Sequence, residues 1–141
     1  RLADRIHHHG GTARVLPMSF VDPADEQAVI DELNAARDGE YAEVLERLPA
    51  LRQELADERA RGRLTYAEVE ESEADLDRFR SWLAKIAARD YFTAPGGHAA
   101  RAAVDAAAAE LAAFEDAALQ AETSAQTDAR TSQRLHVAHE S

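Results

Sequence analysis

The sequence predicts a mainly α-helical protein: a three-helix antiparallel coiled-coil bundle preceded by a short helix–strand segment. Three observations carry this. Alanine is abundant, aromatics are 6%, and only six Gly and four Pro occur in 141 residues, which suits long helices with narrow apolar seams. Apolar residues recur at spacings of three and four through Tyr41, Val44, Leu48, Leu51 and Leu55, and comparable seams follow downstream. Turn signals at Arg61-Gly62-Arg63-Leu64 and at Thr93–Gly97 separate the runs.

The chain opens on Leu2, Ile6 and His9, read as the end of an amphipathic helix that Gly10 and Gly11 stop, because Gly tolerates the left-handed conformation after a helix. Residues 12–21 alternate as a strand, Ala13, Val15 and Pro17 against Arg14, Leu16 and Met18. Pro17 cannot donate to a ladder and belongs at an edge or a bulge. A lone strand has no stability of its own. Residues 1–21 are therefore expected to be a truncated α/β remnant. The start at Arg1 instead of Met fits a fragment of something longer.

The first long helix is expected from Asp22 to Ala60, with Asp22 as N-cap, Pro23 at the first helical position and Asp25 and Glu26 at the positive end of its dipole. Ile30 and Leu33 begin its stripe, the phase slips at Arg37, and Pro49 removes one internal hydrogen bond. Thr65 and Glu68 spell a capping box for the second helix. Its seam alternates Val69, Leu76 and Leu83 with Ser72, Phe79 and Ile86, and it is expected to end near Asp90. The third helix is expected over 98–122, with Val104, Ala107, Leu111, Phe114, Ala118 and Ala121 on one side. Residues 22–123 thus form the coiled-coil domain, and residues 124–141, rich in Ser, Thr, Gln and Arg, read as a disordered tail.

Charge narrows the functions. With 27 acidic and 16 basic side chains the formal charge is −11, which opposes DNA and anionic membranes unless a local basic patch intervenes. No apolar run reaches the roughly 20 residues of a membrane span. Absence of cysteine excludes disulfides, thiol nucleophiles and Cys-ligated metals, and fits a cytoplasmic protein. Fifteen Arg against one Lys, with the Ala content, suits a GC-rich bacterial genome.

If the chain reverses at Gly62, two polar clusters meet: Asn34, Arg37, Asp38 and Tyr41 from the first helix, and Trp82, Lys85, Arg89 and Asp90 from the second. Crossed pairing of Arg37 and Asp38 with Arg89 and Asp90 is then geometrically available. The cluster either fixes helix register, at a desolvation cost, or forms an oxyanion site. In the second case the guanidiniums of Arg37 and Arg89 and the ammonium of Lys85 hold chromate or sulfate while Tyr41 donates a hydrogen bond. Neutralisation by Asp38 and Asp90 would leave little positive field for a ligand.

Other motifs point to plain structure. Consecutive His7, His8 and His9 project about 100° apart on a helix and do not converge on one ion. The acidic run over 68–77 lacks the central Gly of a calcium loop. Arg52, Arg59, Arg61 and Arg63 make a basic tip beside Glu54, Asp57 and Glu58, and Trp82 reads as a buried anchor. With no Ser–His–Asp pattern, phosphate-binding glycine loop or HExxH, no enzyme activity, metal or cofactor is expected.

Three stretches, Asn34 to Val44, Leu64 to Leu76 and Arg80 to Gly96, resemble in order the helical part of the ChrB N-terminal domain of bacterial chromate-resistance proteins; the likeness covers roughly residues 1–120. The resemblance implies a ferredoxin-like α/β unit ahead of the helices, which accounts for the orphan helix and strand. It also implies a chromate-responsive transcriptional regulator or an accessory protein, with DNA-binding as a family analogy only. The family's opening strands and further C-terminal domain are not found in this sequence. The alternative from the residues themselves is a helical coiled-coil interaction module without ligand, homodimeric through its seams.

Overall fold

The computed structural model describes residues 1–62 and 65–139. Among them are four helices and no strand: α1 (Leu2–His8), α2 (Pro23–Arg61), α3 (Tyr66–Ala87) and α4 (Gly96–His139). The helical class expected from composition and periodicity is therefore found. The chain divides into two compact units, residues 1–32 and 33–141.

In the first unit, α1 is followed after His9 by Gly10, whose φ of +80° is the left-handed conformation that favours glycine. The Ala13 amide donates to His7 Nε2 at 3.3 Å. Residues 11–20 carry no regular structure, which corrects the expected strand. The pattern was read as strand because it alternates, but a strand exists only through a ladder, and the described residues supply no second strand. Asp22 is the N-cap anticipated for α2, its Oδ1 accepting the Ala24 amide at 2.9 Å.

The second unit holds the core. Tyr41, Val44, Leu48, Leu51 and Leu55 of α2, Val69, Leu76 and Ile86 of α3, and Val104, Ala107, Leu111, Phe114 and Ala118 of α4 are buried together. These are the seam residues read from the sequence. Phe79, Trp82 and Leu83 are only partly covered, Leu33 and Ala121 are exposed, and α2 continues through Pro49. Arg47 lies over the Trp82 ring at 5.4 Å, which fastens α2 to α3. Arg52 forms a two-bond fork to Glu110, its Nε donating to Oε2 at 2.9 Å, which fastens α2 to α4.

Of the expected turn, Gly62 has φ +68°, the left-handed conformation that favours glycine, while Arg63 and Leu64 lie outside the described residues. The capping box opens α3 as predicted: the Glu68 amide donates to Thr65 Oγ1 at 3.4 Å, and the Thr65 amide to Glu68 Oε2 at 3.2 Å. α3 ends at Ala87, a little short of Asp90.

The segment read as a disordered tail over 124–141 is helical as far as His139, with Glu140 and Ser141 outside the described residues. Polarity had suggested disorder. Ala, Gln, Glu and Arg are nevertheless good helix formers, and no Gly or Pro follows Gly97. Thr123, Thr127 and Thr131 turn their hydroxyls onto the carbonyls of Leu119, Thr123 and Thr127 at 2.9 Å each, so they are satisfied within the helix.

Candidate functional site

Of the eight residues singled out from the sequence, Arg37, Asp38, Tyr41, Arg89 and Asp90 have side-chain contacts near the passage from α3 to α4, but their partners differ from those expected. Tyr41 is fully buried by its position on the α2 seam, and its phenol donates to Asp90 Oδ2 at 2.9 Å. The other oxygen of Asp90 accepts the Ala94 amide at 2.8 Å, which shapes the loop ahead of α4. Asp38 Oδ1 accepts the Gly96 amide at 2.7 Å. Gly96 begins α4, whose first amides have no partner within the helix. α4 has no acidic residue in its own first turn, so α2 supplies the capping carboxylate.

The arginines share a residue that the sequence reading missed. Arg89 Nη2 lies 2.7 Å from Glu40 Oε1, and Arg37 Nε lies 2.7 Å from Glu40 Oε2. The Arg37 contact is an ion pair whose angle falls outside hydrogen-bond geometry, for both atoms are buried without a hydrogen bond. Arg89 Nε also donates to the Lys85 carbonyl at 3.2 Å. Glu40 therefore replaces the crossed Arg37–Asp90 and Asp38–Arg89 pairs, because the aspartates are taken by Tyr41 and by the backbone of the α3–α4 loop. Only its spacing three residues after Arg37 signalled Glu40 in the sequence.

The remaining members stand at the margin. Asn34 is half-buried, Lys85 is exposed, and Trp82 belongs to the Arg47 stack and to Phe79, 6.2 Å away. Two glycines let the loop approach Tyr41. A Cβ on Gly97 would sit 3.1 Å from Tyr41 Cε2 and Cζ, and one on Gly96 would sit 2.8 Å from Asp38 Oδ1.

Burial pushes the Tyr41 phenol above its ordinary value, and the hydrogen bond to the Asp90 carboxylate adds to the shift; the nearby Arg101 acts in the opposite direction. At the far side of the bundle, the hydrogen bond from Arg52 holds the Glu110 carboxyl below the usual carboxylate value. A groove of about 670 Å³ beside that pair is lined by Pro49, Arg59 and Phe114, and a second of about 360 Å³ by Arg47, Phe79 and Trp82. Of the eight, only Trp82 lines either groove. Among the described residues no group of three His, Cys, Asp or Glu is placed to hold a metal, and no helix is long and apolar enough to cross a membrane.

The arrangement defines an interlocked helical domain in which one carboxylate joins two guanidiniums and two others organise a helix start. Comparison places it further: residues 1–125 match the family described as Protein ChrB, N-terminal. The chain belongs to that ChrB N-terminal family, which associates it with chromate resistance. No curated protein and no solved structure matches it.

Proposed function

We infer that this chain serves bacterial chromate resistance as a cytoplasmic regulator or accessory protein, using a three-helix antiparallel coiled coil as its framework. The family match over residues 1–125 carries the reading. The framework is supported by contacts that rise along α2 as they fall along α3, Glu40 with Arg89 and then Arg47 with Trp82, while Asp38–Gly96 and Arg52–Glu110 rise together. The test uses a bacterium carrying a chromate-efflux operon, with and without this chain. Growth in graded chromate and the operon transcript are measured. A change in tolerance or in chromate-dependent transcript is expected; identical curves and transcript levels overturn the reading.

Within that role the polar cluster is proposed as a structural lock, not an anion receptor. Arg37 and Arg89 already face Glu40, and the phenol proton already serves Asp90. A bound oxyanion would have to displace both. Calorimetry with sulfate or chromate at millimolar concentration distinguishes the two: no heat is expected, and a saturable signal lost in Arg89→Ala would restore the receptor reading. A protein-interaction module without ligand is the second reading, favoured by that same internal pairing. Direct DNA contact is opposed by the charge of −11.

A further inference from the structure

The groove between α2 and α3 is apolar at its centre and carries unlike charges at its two ends. Both of its walls belong to the second unit. Glu40 meets Arg89 and Arg47 meets Trp82, so seven steps up α2 match seven steps down α3. By the same register Glu54 is level with Asp75, and Ala50 with Phe79. Arg47 and Trp82 therefore mark one end of the groove and Glu54 and Asp75 the other, about 10 Å apart along the helices. Asp75 is answered by Arg78 of its own helix at 2.9 Å. Among the described residues Glu54 forms no ion pair, and Arg47 has the face of Trp82 but no carboxylate. Between the ends, the small Ala50 lies beside the buried Leu51, and the partly covered rings of Phe79 and Trp82 stand 6.2 Å apart. Trp, Phe and Arg are the residues enriched where proteins meet proteins.

We propose that this groove docks against the same groove of a second copy of the chain, about a two-fold axis that crosses both helices at the step between Ala50 and Leu51. An interface of that kind needs a surface complementary to itself after rotation, and a cation at one end with an anion at the other meets the need. The rotation sets α2 antiparallel to the partner's α2 and exchanges the ends. Arg47 of each copy then faces the partner's Glu54, and symmetry makes the pair twice. The small side chain of Ala50 lets the two helices approach at the axis, and Phe79 and Trp82 are covered from both sides. Covering the rings supplies the attraction, while the charges select the orientation. The other two-fold arrangement, with its axis along the helices, sets α2 against the partner's α3. Glu54 would then face the partner's Asp75 at two places, and like charges oppose it.

Charge reversal tests the pairing without entering the core. Sedimentation of the full chain at low salt should show a dimer that grows with concentration. Trp82, the only tryptophan, supplies a second readout, since its emission should move to the blue as the dimer forms. Arg47→Glu and Glu54→Arg should each weaken association about tenfold or more, because each sets like charges face to face twice. Mixed in equal amounts, the two variants should associate again, for every contact of the mixed dimer regains an opposite charge. The double variant Arg47→Glu/Glu54→Arg should dimerise by itself. Mixing cannot repair a folding defect, so the rescue separates docking from folding, and circular dichroism checks that each variant keeps its helices. A monomer at all accessible concentrations overturns the proposal and leaves the groove to a different occupant. So does a dimer unmoved by either reversal, or a pair of weakened variants that mixing does not restore.

Discussion

The phenol of Tyr41 and the carboxylate of Asp90, 49 positions apart, meet at 2.9 Å where α3 gives way to α4. The bond joins a fully buried ring to a half-buried acid whose other oxygen holds the Ala94 amide. Tyr41→Phe keeps the ring and removes only the donor. A loss of about 1–2 kcal/mol is expected, the range for a hydrogen bond to a charged acceptor that water partly replaces. The raised pKa fixes the sign of the pH dependence. A phenol that ionises at higher pH when folded contributes stability in full below its unfolded value of about 10, and loses it as pH rises through the folded value. Urea midpoints of the wild type and Tyr41→Phe should therefore converge on the alkaline side.

Asp38 acts on a helix other than its own. Its carboxylate meets the first amide of α4, so Asp38→Ala should cost about 0.5–2 kcal/mol, the range for loss of an N-cap. Asp38→Asn keeps an acceptor and should recover most of it, less the charge interaction with the helix dipole. Hydrogen exchange gives the local readout. The amides of the first turn of α4 should lose protection in Asp38→Ala, while those near Leu48 follow only the global change.

Gly97 and Gly39 should respond to alanine with opposite signs. At Gly97 the new methyl would press on Tyr41 carbons 3.1 Å away, and that ring, with no exposed surface, cannot yield. Overpacking of this kind costs about 1–3 kcal/mol, more than the helix propensity alanine regains. At Gly39, within α2, nothing lies within 4 Å of the added atom. Gly39→Ala should stabilise by about 0.5–1 kcal/mol through propensity and a less flexible unfolded chain. Thermal melts of the two variants against the wild type check both signs at once.

These contrasts show which parts of the molecule were legible in its sequence. The seams from Tyr41 to Leu55 and from Val104 to Ala118 were readable because helical periodicity and burial report the same fact. The caps at Asp22 and Thr65 were readable because capping is local. The polar cluster was readable only as a neighbourhood. Which acid met which base depended on the path of the chain from Tyr91 to the start of α4 at Gly96, which brings amides to Asp38 and Asp90 and so leaves both arginines to Glu40. No pattern over a few residues encodes that path. Residues 12–21 failed differently: a strand pattern states a capacity for pairing, and the partner decides whether it is realised. The polar end of α4 was misread because exposed helix and disordered chain share a composition, and the threonine hydroxyls that bond back within the helix leave no mark in it.

Glu40 bridges two arginines of different exposure, the Arg37 side chain at 22% and Arg89 at 47%. Glu40→Ala should destabilise modestly, mostly through Arg37, because the more exposed Arg89 pair is screened by solvent. The Arg89 contribution should shrink further between about 0.05 M and 1 M salt, as the screening length falls from over 10 Å to about 3 Å. A double-mutant cycle between Glu40→Ala and each arginine variant separates the two couplings, and only the Arg37 coupling should survive high salt.

The distal half of α4 should be dispensable for the core. Ala118 is the last buried residue along the helix among those described, and 119–138 are exposed throughout. Helix carried without a packed face gains its stability from propensity and from continuity with the packed part, since isolated helices of this length are marginal in water. Removing residues 124–141 deletes none of the buried core residues identified among the described ones. Ellipticity at 222 nm should fall in proportion to the helix removed, while the thermal midpoint should move by only a few degrees, about 1 kcal/mol or less. A large drop in the midpoint would mean that the exposed end of α4 has a partner in solution. If that drop grew with protein concentration, the partner would be another copy of the chain.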